Sequence, residues 1–287
     1  MTSYLHEKIY DSEEELHFIR SSLLENEAGL VHAFTTRRGG VSHEPFDALN
    51  LSPKTGDEND SVRRNIEILK NSLMIRSPLL FLNQVHGSEV LDINCMKDYD
   101  GTSPYDAIIT SEREIPLMIL TADCLPLLFY DPQLCVIGAT HAGWKGTSME
   151  IAKKTVAAMS GKFGSDPSDI RVSAGPSIGP CCYEVDHEVV DSFIGTGKEA
   201  GKNYSDYFDF FRPVPGKSGK YYMDLSGANR FQLLDAGLKE NNISLSSLCT
   251  SCRNDLFFSY RRDGCRTGRQ GALIMMFKYD GKGKIII

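Results

Sequence analysis

"LTADCLPLLFYDPQLCVIGATHAGWKG", Leu120 to Gly146, decides how the rest of the chain is read. It holds two short apolar runs, 125–130 and 135–140, with a turn signal, Asp131-Pro132, between them. Such runs read as strands, and the pair reads as an antiparallel hairpin. Their apolarity is continuous rather than alternating, which marks strands covered on both faces. The open end of this hairpin is different in character, because Asp123, Cys124, His141, Trp144 and Lys145 crowd there. Counted from the turn, Cys124 is about eight residues back and His141 about nine forward, so pairing brings thiol and imidazole to one edge of the sheet.

Working outward, a third apolar run at 115–120 predicts another strand. Helical spacing appears at 60–73 with Asp60 as its cap, and at 226–238 with Ser226 as its cap. It appears again at 148–163, where Ile151, Thr155, Val156 and Met159 share a face and Gly161 lies near the end. Strands and helices do not alternate strictly, which predicts an α+β layered fold rather than a doubly wound sheet. Segments 52–62 and 195–220 are rich in Gly, Pro, Asp, Lys and Ser and read as surface loops. Neither reads as a linker, so residues 1–287 are expected to form a single domain.

The 287 residues, 41% hydrophobic and 24% charged, predict a soluble globular protein with a substantial core. A net charge of -7 argues against general binding to nucleic acid or to an anionic membrane. No apolar run reaches the ~18 residues of a membrane span. The opening "MTSYLHEKIYDSEEEL" lacks the layout of a signal peptide, so the expected location is cytoplasmic. The eight cysteines are then thiols or ligands rather than a disulfide framework.

"FLNQVHGSEV", 81–90, adds His86 at the end of a strand-like run. One thiolate and two imidazoles from His86, Cys124 and His141 make a three-ligand zinc set with a fourth position left for water or substrate. Read singly, Cys124 is a buried structural thiol and His141 a satisfied core histidine, and the spacing matches no local zinc pattern. Asp123 has two readings: a proton shuttle, or a partner that orients a ligating histidine. Trp144, the single tryptophan, either stacks on a base or packs beneath the loop. "CTSC", 249–252, with Cys265 makes three thiols without an obvious fourth, so ordinary thiols are expected there rather than a second metal site or redox pair. Cys181 and Cys182 read as loop packing. His6, His17, His32, His43 and His187 read as surface or turn residues.

"NQVHG", "TADCLPLL", "HAGWKG", "GPSIGPCCYEV" and "FFSYRRDG…TGRQGALI", together with "FTTRRGGVS" at 34–42 and "LNLS" at 49–52, resemble the YlmD/YfiH family. This is the laccase-domain family, once regarded as multicopper oxidoreductases and now as purine nucleoside phosphorylases. The resemblance spans roughly residues 30 to 277, with several motifs in order. Lys145 stands where many members carry arginine. The resemblance implies an αββα layered sandwich of mixed β-sheets. It implies zinc held by His86, Cys124 and His141, with phosphorolysis of adenosine, inosine, guanosine and S-methyl-5'-thioadenosine and deamination of adenosine. Purine nucleosides and phosphate are then the partners.

Phosphorolysis needs a cation for phosphate, and Arg37, or its neighbour Arg38, beside two glycines is the candidate. Arg261, Arg262 and Asp263 either form a salt-bridged turn or lend positive charge to the site. The His-x-Glu and Pro-Cys-x-x-Cys elements of nucleobase zinc deaminases are missing, so any proton shuttle here differs. Seven scattered histidines without a His-Cys-His run do not supply a multicopper oxidase, although copper, Cu2+, competes for the zinc site by its place in the affinity order. Two other readings stay open. In one, Cys124 is the nucleophile and His141 the base of a hydrolase or amidase acting on a peptidoglycan precursor. In the other, the chain is a non-enzymatic binding protein associated with the envelope or with division. Three ligands instead of four argue against a purely structural clip.

Overall fold

The computed structural model describes residues 8–11, 16–195 and 205–279. Two six-stranded sheets lie face to face. The first has the order Lys8–Asp11, His17–Arg20, Leu30–Thr35, Gln270–Met276, Leu117–Thr121, Leu80–Phe81. The second has the order Ile243–Leu245, Arg171–Ala174, Leu125–Asp131, Val136–Ala142, Ala107–Thr110, Val90–Asp92. Most pairs are antiparallel. Leu80–Phe81 against Leu117–Thr121, Arg171–Ala174 against Ile243–Leu245, and Val90–Asp92 against Ala107–Thr110 are parallel, so both sheets are mixed.

Three apolar layers follow from this stacking. Between the sheets, Ile119 and Ile274 of the first meet Leu128 and Ile137 of the second. On the outer face of the second sheet, Leu127, Phe129 and Val172 receive the helices Ile151–Phe163 and Leu225–Asp235. On the outer face of the first, Val31, Met118 and Leu273 receive the helix Asn59–Ser72 through Leu69. The expected αββα sandwich of mixed sheets is what the chain forms. Strands buried on both faces are the reason the runs in 115–140 show no alternation.

The hairpin is present as read, with Leu125 opposite Ala142 and Asp131 opposite Val136. Asp131 Oδ1 closes the turn by accepting N–H bonds from Gln133 at 2.8 Å and Leu134 at 3.2 Å, the local pattern that suits Asp to turns. The helix at 151–163 buries Ile151, Thr155, Val156 and Met159, the face its spacing predicted.

Boundaries moved where cap chemistry overrode pattern. The stretch expected as one helix from 148 is two, Trp144–Ser148 and Ile151–Phe163, separated by Glu150 at φ 61. Gly164 at φ 79, not Gly161, ends the second. Asp224, not Ser226, caps Leu225–Asp235 by accepting from the Gly227 N–H. Asp60 lies in the first turn of its helix, and Glu58 holds the cap position without a side-chain bond. The segment 52–62 contains the short 3-10 turn Pro53–Thr55 and the start of that helix.

Of the second expected loop, residues 196–204 lie outside the described residues. The remainder is partly regular, because Phe211–Pro213 and Lys220–Met223 form a small sheet with Glu184–Asp186. His32 is a core residue, its Nε2 accepting from the Ser21 N–H at 2.8 Å, rather than a surface one. His43 and His187 are exposed, and His6 lies outside the described residues. Among the described residues no helix is long and apolar enough to cross a membrane.

Candidate metal and catalytic site

Three separate segments deliver the site. Cys124 immediately precedes one hairpin strand, and His141 sits near the end of the other, opposite Pro126. His86 comes from the loop after Leu80–Phe81. Gln84 positions that loop by imitating a paired strand: its side chain donates to Leu120 O at 2.8 Å and accepts from Leu120 N–H at 2.9 Å. The ligand-type atoms of His86, Cys124 and His141 lie within 4.8 Å of one another. The two imidazole rings meet edge to face at 4.8 Å between centroids.

Asp106 organises this cluster. The pairing of Ala107–Thr110 with Val136–Ala142 sets Ala107 opposite Thr140, which places Asp106 beside His141. Its Oδ1 lies 2.7 Å from His141 Nδ1, and its backbone carbonyl accepts from the His141 N–H at 2.7 Å. The same carboxylate accepts N–H bonds from Val85 at 3.1 Å, His86 at 3.0 Å and Gly87 at 2.7 Å. Burial raises the Asp106 carboxyl, but His141 and these N–H groups outweigh it and hold it below the usual range. One fully buried carboxylate thereby shapes the His86 loop, with His86 itself at φ 60, and fixes the His141 ring with Nε2 turned to the Cys124 sulfur.

Burial alone would raise the Cys124 thiol. The His141 and His86 imidazoles overcome it and bring it down to about 6. Conversely, burial lowers His141, while Cys124 and Asp106 lift it to about 9. The arrangement favours a thiolate among imidazoles, a donor set suited to a borderline-soft divalent cation.

The two glycines of "HAGWKG" pack closely against the cluster. A Cβ on Gly143 would sit 3.1 Å from Cys124 Sγ and 3.1 Å from His86 Cδ2. A Cβ on Gly146 would sit 2.9 Å from Gly87 O. Trp144 packs against the core outside the second sheet, the second of its two readings, and Lys145 Nζ lies 5.5 Å from its ring.

Asp106, not Asp123, is the acid bonded to His141. The Asp123 carboxylate is engaged elsewhere, accepting from Thr250 Oγ1 at 2.6 Å and from the Arg261 N–H at 2.7 Å. Its backbone, at φ 96, lies where residues other than glycine are uncommon, and its carbonyl accepts from the Ile178 N–H at 2.9 Å. Asp123 therefore ties the loops around 178, 250 and 261 to the strand that carries Cys124.

Arg37 is likewise engaged. It donates through Nε to Asp47 O at 2.7 Å, pairs with Asp47 Oδ1 at 3.1 Å and covers the Phe258 ring at 4.7 Å. Arg38 bonds Asp255 O and is half-exposed. Buried Asn65, which bonds Val41, Ser42, Ala48 and Asn50, holds the "RRGGVS" and "LNLS" loops to each other. The cations near the cluster are others. Burial lowers the Arg269 guanidinium while Cys124 and Asp123 act to raise it, and its Nη1 donates to Thr267 O at 2.8 Å and Gly268 O at 2.9 Å. Arg261 lies over the Tyr183 ring at 5.2 Å, and burial, then Cys124, raises that phenol. Arg262 pairs with Asp263 at 2.7 Å, which is the salt-bridged turn among the two readings of that trio.

Cys181 and Cys182 do not merely pack. They join Cys249 and Cys252 in a second cluster whose sulfurs all lie within 4.8 Å of one another, and Cys265 is not among them. The sequence signal was divided between two loops about 70 positions apart, too far for any spacing rule to connect.

Residues 31–277 match the family described as "Multi-copper polyphenol oxidoreductase laccase". The purine nucleoside phosphorylase YlmD of Bacillus subtilis is 36% identical over 262 residues, covering 88% of this chain and 90% of that protein. The crystal structure of YlmD from Geobacillus stearothermophilus superposes with a TM-score of 0.81 at 35% identity, over 94% of this chain and 99% of that one. The crystal structure of the Bacillus licheniformis protein YfiH superposes with a TM-score of 0.82 at 33% identity, over 93% of this chain and 98% of that one.

Proposed function

This chain belongs to the YlmD/YfiH family, and from that premise we propose that it is a zinc-dependent purine nucleoside phosphorylase. Its substrates are adenosine, inosine, guanosine and S-methyl-5'-thioadenosine, and it also deaminates adenosine. The observation that carries the reading is the convergence of His86, Cys124 and His141 with Asp106 behind His141. These residues fit zinc: one soft and two borderline donors, a histidine tautomer fixed from the far side, and a glycine where a Cβ would crowd two of the ligands. A divalent zinc ion held there supplies Lewis acidity, and three protein ligands leave a coordination position for a reactant.

The chain's own residues supply the rest. Asp106 keeps a proton on His141 Nδ1, leaving Nε2 as the ligand atom. Arg269 and Arg261 are the guanidiniums for phosphate and for the negative charge that the departing purine takes up as the glycosidic bond breaks. Tyr183, with Arg261 stacked on it, offers a flat face for a purine beside Cys124. Asp123 and Thr250 keep the loop that carries Arg261 against the metal ligands.

The test is incubation of adenosine with and without inorganic phosphate while adenine, ribose 1-phosphate, inosine and ammonia are followed. Phosphate-dependent adenine release, lost in Cys124→Ala, supports phosphorolysis. Inosine and ammonia without phosphate support deamination. Absence of all products from a zinc-loaded protein refutes the reading.

A second reading rests on one specific observation. Asp106, His141 and Cys124 also form the acid–base–nucleophile chain of a cysteine hydrolase. Two imidazoles on one sulfur favour the cation, because a nucleophile needs a single base. Alkylation of Cys124 in zinc-free protein decides it: full hydrolase activity without zinc, abolished by alkylation, supports the second reading.

A further inference from the structure

We propose that Cys181, Cys182, Cys249 and Cys252 bind one zinc ion as a tetrathiolate, a structural site separate from the His86, Cys124 and His141 cluster. Four sulfurs from two loops converge, each within 4.8 Å of the others. The Cys181–Cys252 and Cys182–Cys252 sulfur separations are 3.5 and 3.3 Å. A tetrahedral site with zinc–sulfur bonds of about 2.3 Å places its sulfurs about 3.8 Å apart, so this spread brackets the required spacing. It is far from the ~2.05 Å of a disulfide.

The loops are built to bring the sulfurs together. Cys249-Thr250-Ser251-Cys252 has the two-residue spacing common to zinc ribbons. Cys181 and Cys182 lie in a tight turn in which Gly179 O accepts the N–H groups of both Cys182 and Tyr183 at 3.0 Å. The loops are clamped by the parallel bridge between Ser177 and Cys249 and by the Thr250 N–H to Ser177 O bond at 3.0 Å. The Gly179 N–H points at Cys249 Sγ from 3.2 Å, and the Cys252 N–H bonds the same sulfur. Backbone N–H groups aimed at sulfur stabilise the thiolate that a metal requires. Gly179 packs tightly against the cluster, since a Cβ there would stand 3.3 Å from both Cys181 Sγ and Cys249 Cβ.

Four protein sulfurs close the coordination sphere, which makes the site structural rather than catalytic. Binding releases the four thiol protons and leaves a dianionic zinc tetrathiolate, with no change of oxidation state. Its role follows from what the two loops carry. Ile178 and Thr250 both bond Asp123, beside Cys124, and Tyr183 follows Cys182 directly. A zinc clip there staples the two loops that flank the candidate active site.

The test uses the full chain purified under reducing conditions, with zinc measured by elemental mass spectrometry. Wild type is expected to hold about two zinc ions per chain, and His86→Ala/Cys124→Ala about one. Cys252→Ser also drops to about one, with a lower Tm. Should Cys252→Ser fail to fold, the His86→Ala/Cys124→Ala protein loaded with cobalt carries the test alone: intense sulfur-to-cobalt charge transfer and the d–d bands of four-sulfur tetrahedral cobalt are expected. A zinc-free His86→Ala/Cys124→Ala protein, a cobalt spectrum without thiolate character, or an intact mass two hydrogens short with a disulfide mapped among these four cysteines overturns the proposal. None of these readouts depends on turnover of nucleosides.

Discussion

Asp106 Oδ1 lies 2.7 Å from His141 Nδ1, and the same carboxylate holds the backbone of the loop that presents His86. A strand histidine and a loop histidine therefore take their positions from one acid. Asp106→Asn keeps the shape but sets a neutral amide against three backbone N–H donors and the imidazole. Zinc affinity is expected to fall by about 10–100-fold, as for other groups that orient a ligating histidine. Competition titration against a chromophoric chelator measures it, and an unchanged affinity would refute the role given to Asp106.

The thiol and imidazole charges of the metal-free protein predict a stability window in pH. His141 is raised from 6.5 to about 9, so its contribution is complete below 6.5 and lost as pH rises through about 9. Cys124 is lowered from 9.0 to about 6, so its contribution is complete above 9.0 and lost as pH falls through about 6. Both describe one attraction, which persists between about 6 and about 9. In the presence of chelator, Tm against pH should show a broad maximum in that interval, and Cys124→Ser should flatten it. Zinc binding should weaken as pH falls through about 6, since the ligand must be a thiolate.

Gly143→Ala introduces a methyl 3.1 Å from Cys124 Sγ and from His86 Cδ2. The crowding should cost about 1–3 kcal/mol, as small-to-large changes do in packed sites. It falls on the ligands, so zinc content should drop more than Tm. Denaturant unfolding beside metal analysis separates the two effects, and a fully zinc-loaded Gly143→Ala protein would contradict the packing argument.

Thr250→Val removes a 2.6 Å hydrogen bond to the buried Asp123 carboxylate while keeping shape. An unsatisfied buried acceptor costs about 1–3 kcal/mol. Urea unfolding at neutral pH should show that loss, with kcat lowered as well, because the same carboxylate holds the Arg261 segment.

The arginines separate by role. Arg37 bonds Asp47 and covers Phe258, so Arg37→Ala should lower stability by about 1–3 kcal/mol and leave the KM for phosphate unchanged. Arg269→Ala should raise the KM for phosphate several-fold. Steady-state kinetics with phosphate varied at saturating nucleoside distinguishes them, and the reverse pattern would restore Arg37 as the anion site.

The hairpin and the meeting of Cys124 with His141 were legible because antiparallel pairing is a counting rule, and Asp131-Pro132 fixed where counting begins. The helix faces were legible for the same reason of periodicity. Asp106 was not. It is a lone acid before "AIIT", 35 positions from its partner, and its register against His141 depends on a strand pairing that no turn announces. The one available signal was a charged residue abutting a wholly apolar strand, which is rare unless the charge is paired. The four-cysteine cluster was hidden similarly, because an adjacent pair and a Cys-x-x-Cys look ordinary until Ser177 and Cys249 are seen to pair. Two glycines beside Arg37 suggest an anion loop in the sequence, whereas the structure shows its guanidinium bonded to Asp47. Here a Cβ on Gly40 would stand 2.3 Å from Ala48 O, so that glycine serves backbone-to-backbone contact instead.

The turn at 132–135 stands at the far end of the hairpin from Cys124 and His141, with Leu134 at its tip exposed to solvent. Seven paired residues at about 3.3 Å each put roughly 20 Å of rigid sheet between that tip and the ligands. A fluorophore, an affinity epitope or a tether to a solid support grafted at the tip should therefore leave nucleoside turnover untouched, giving the protein a natural handle on the side away from its chemistry.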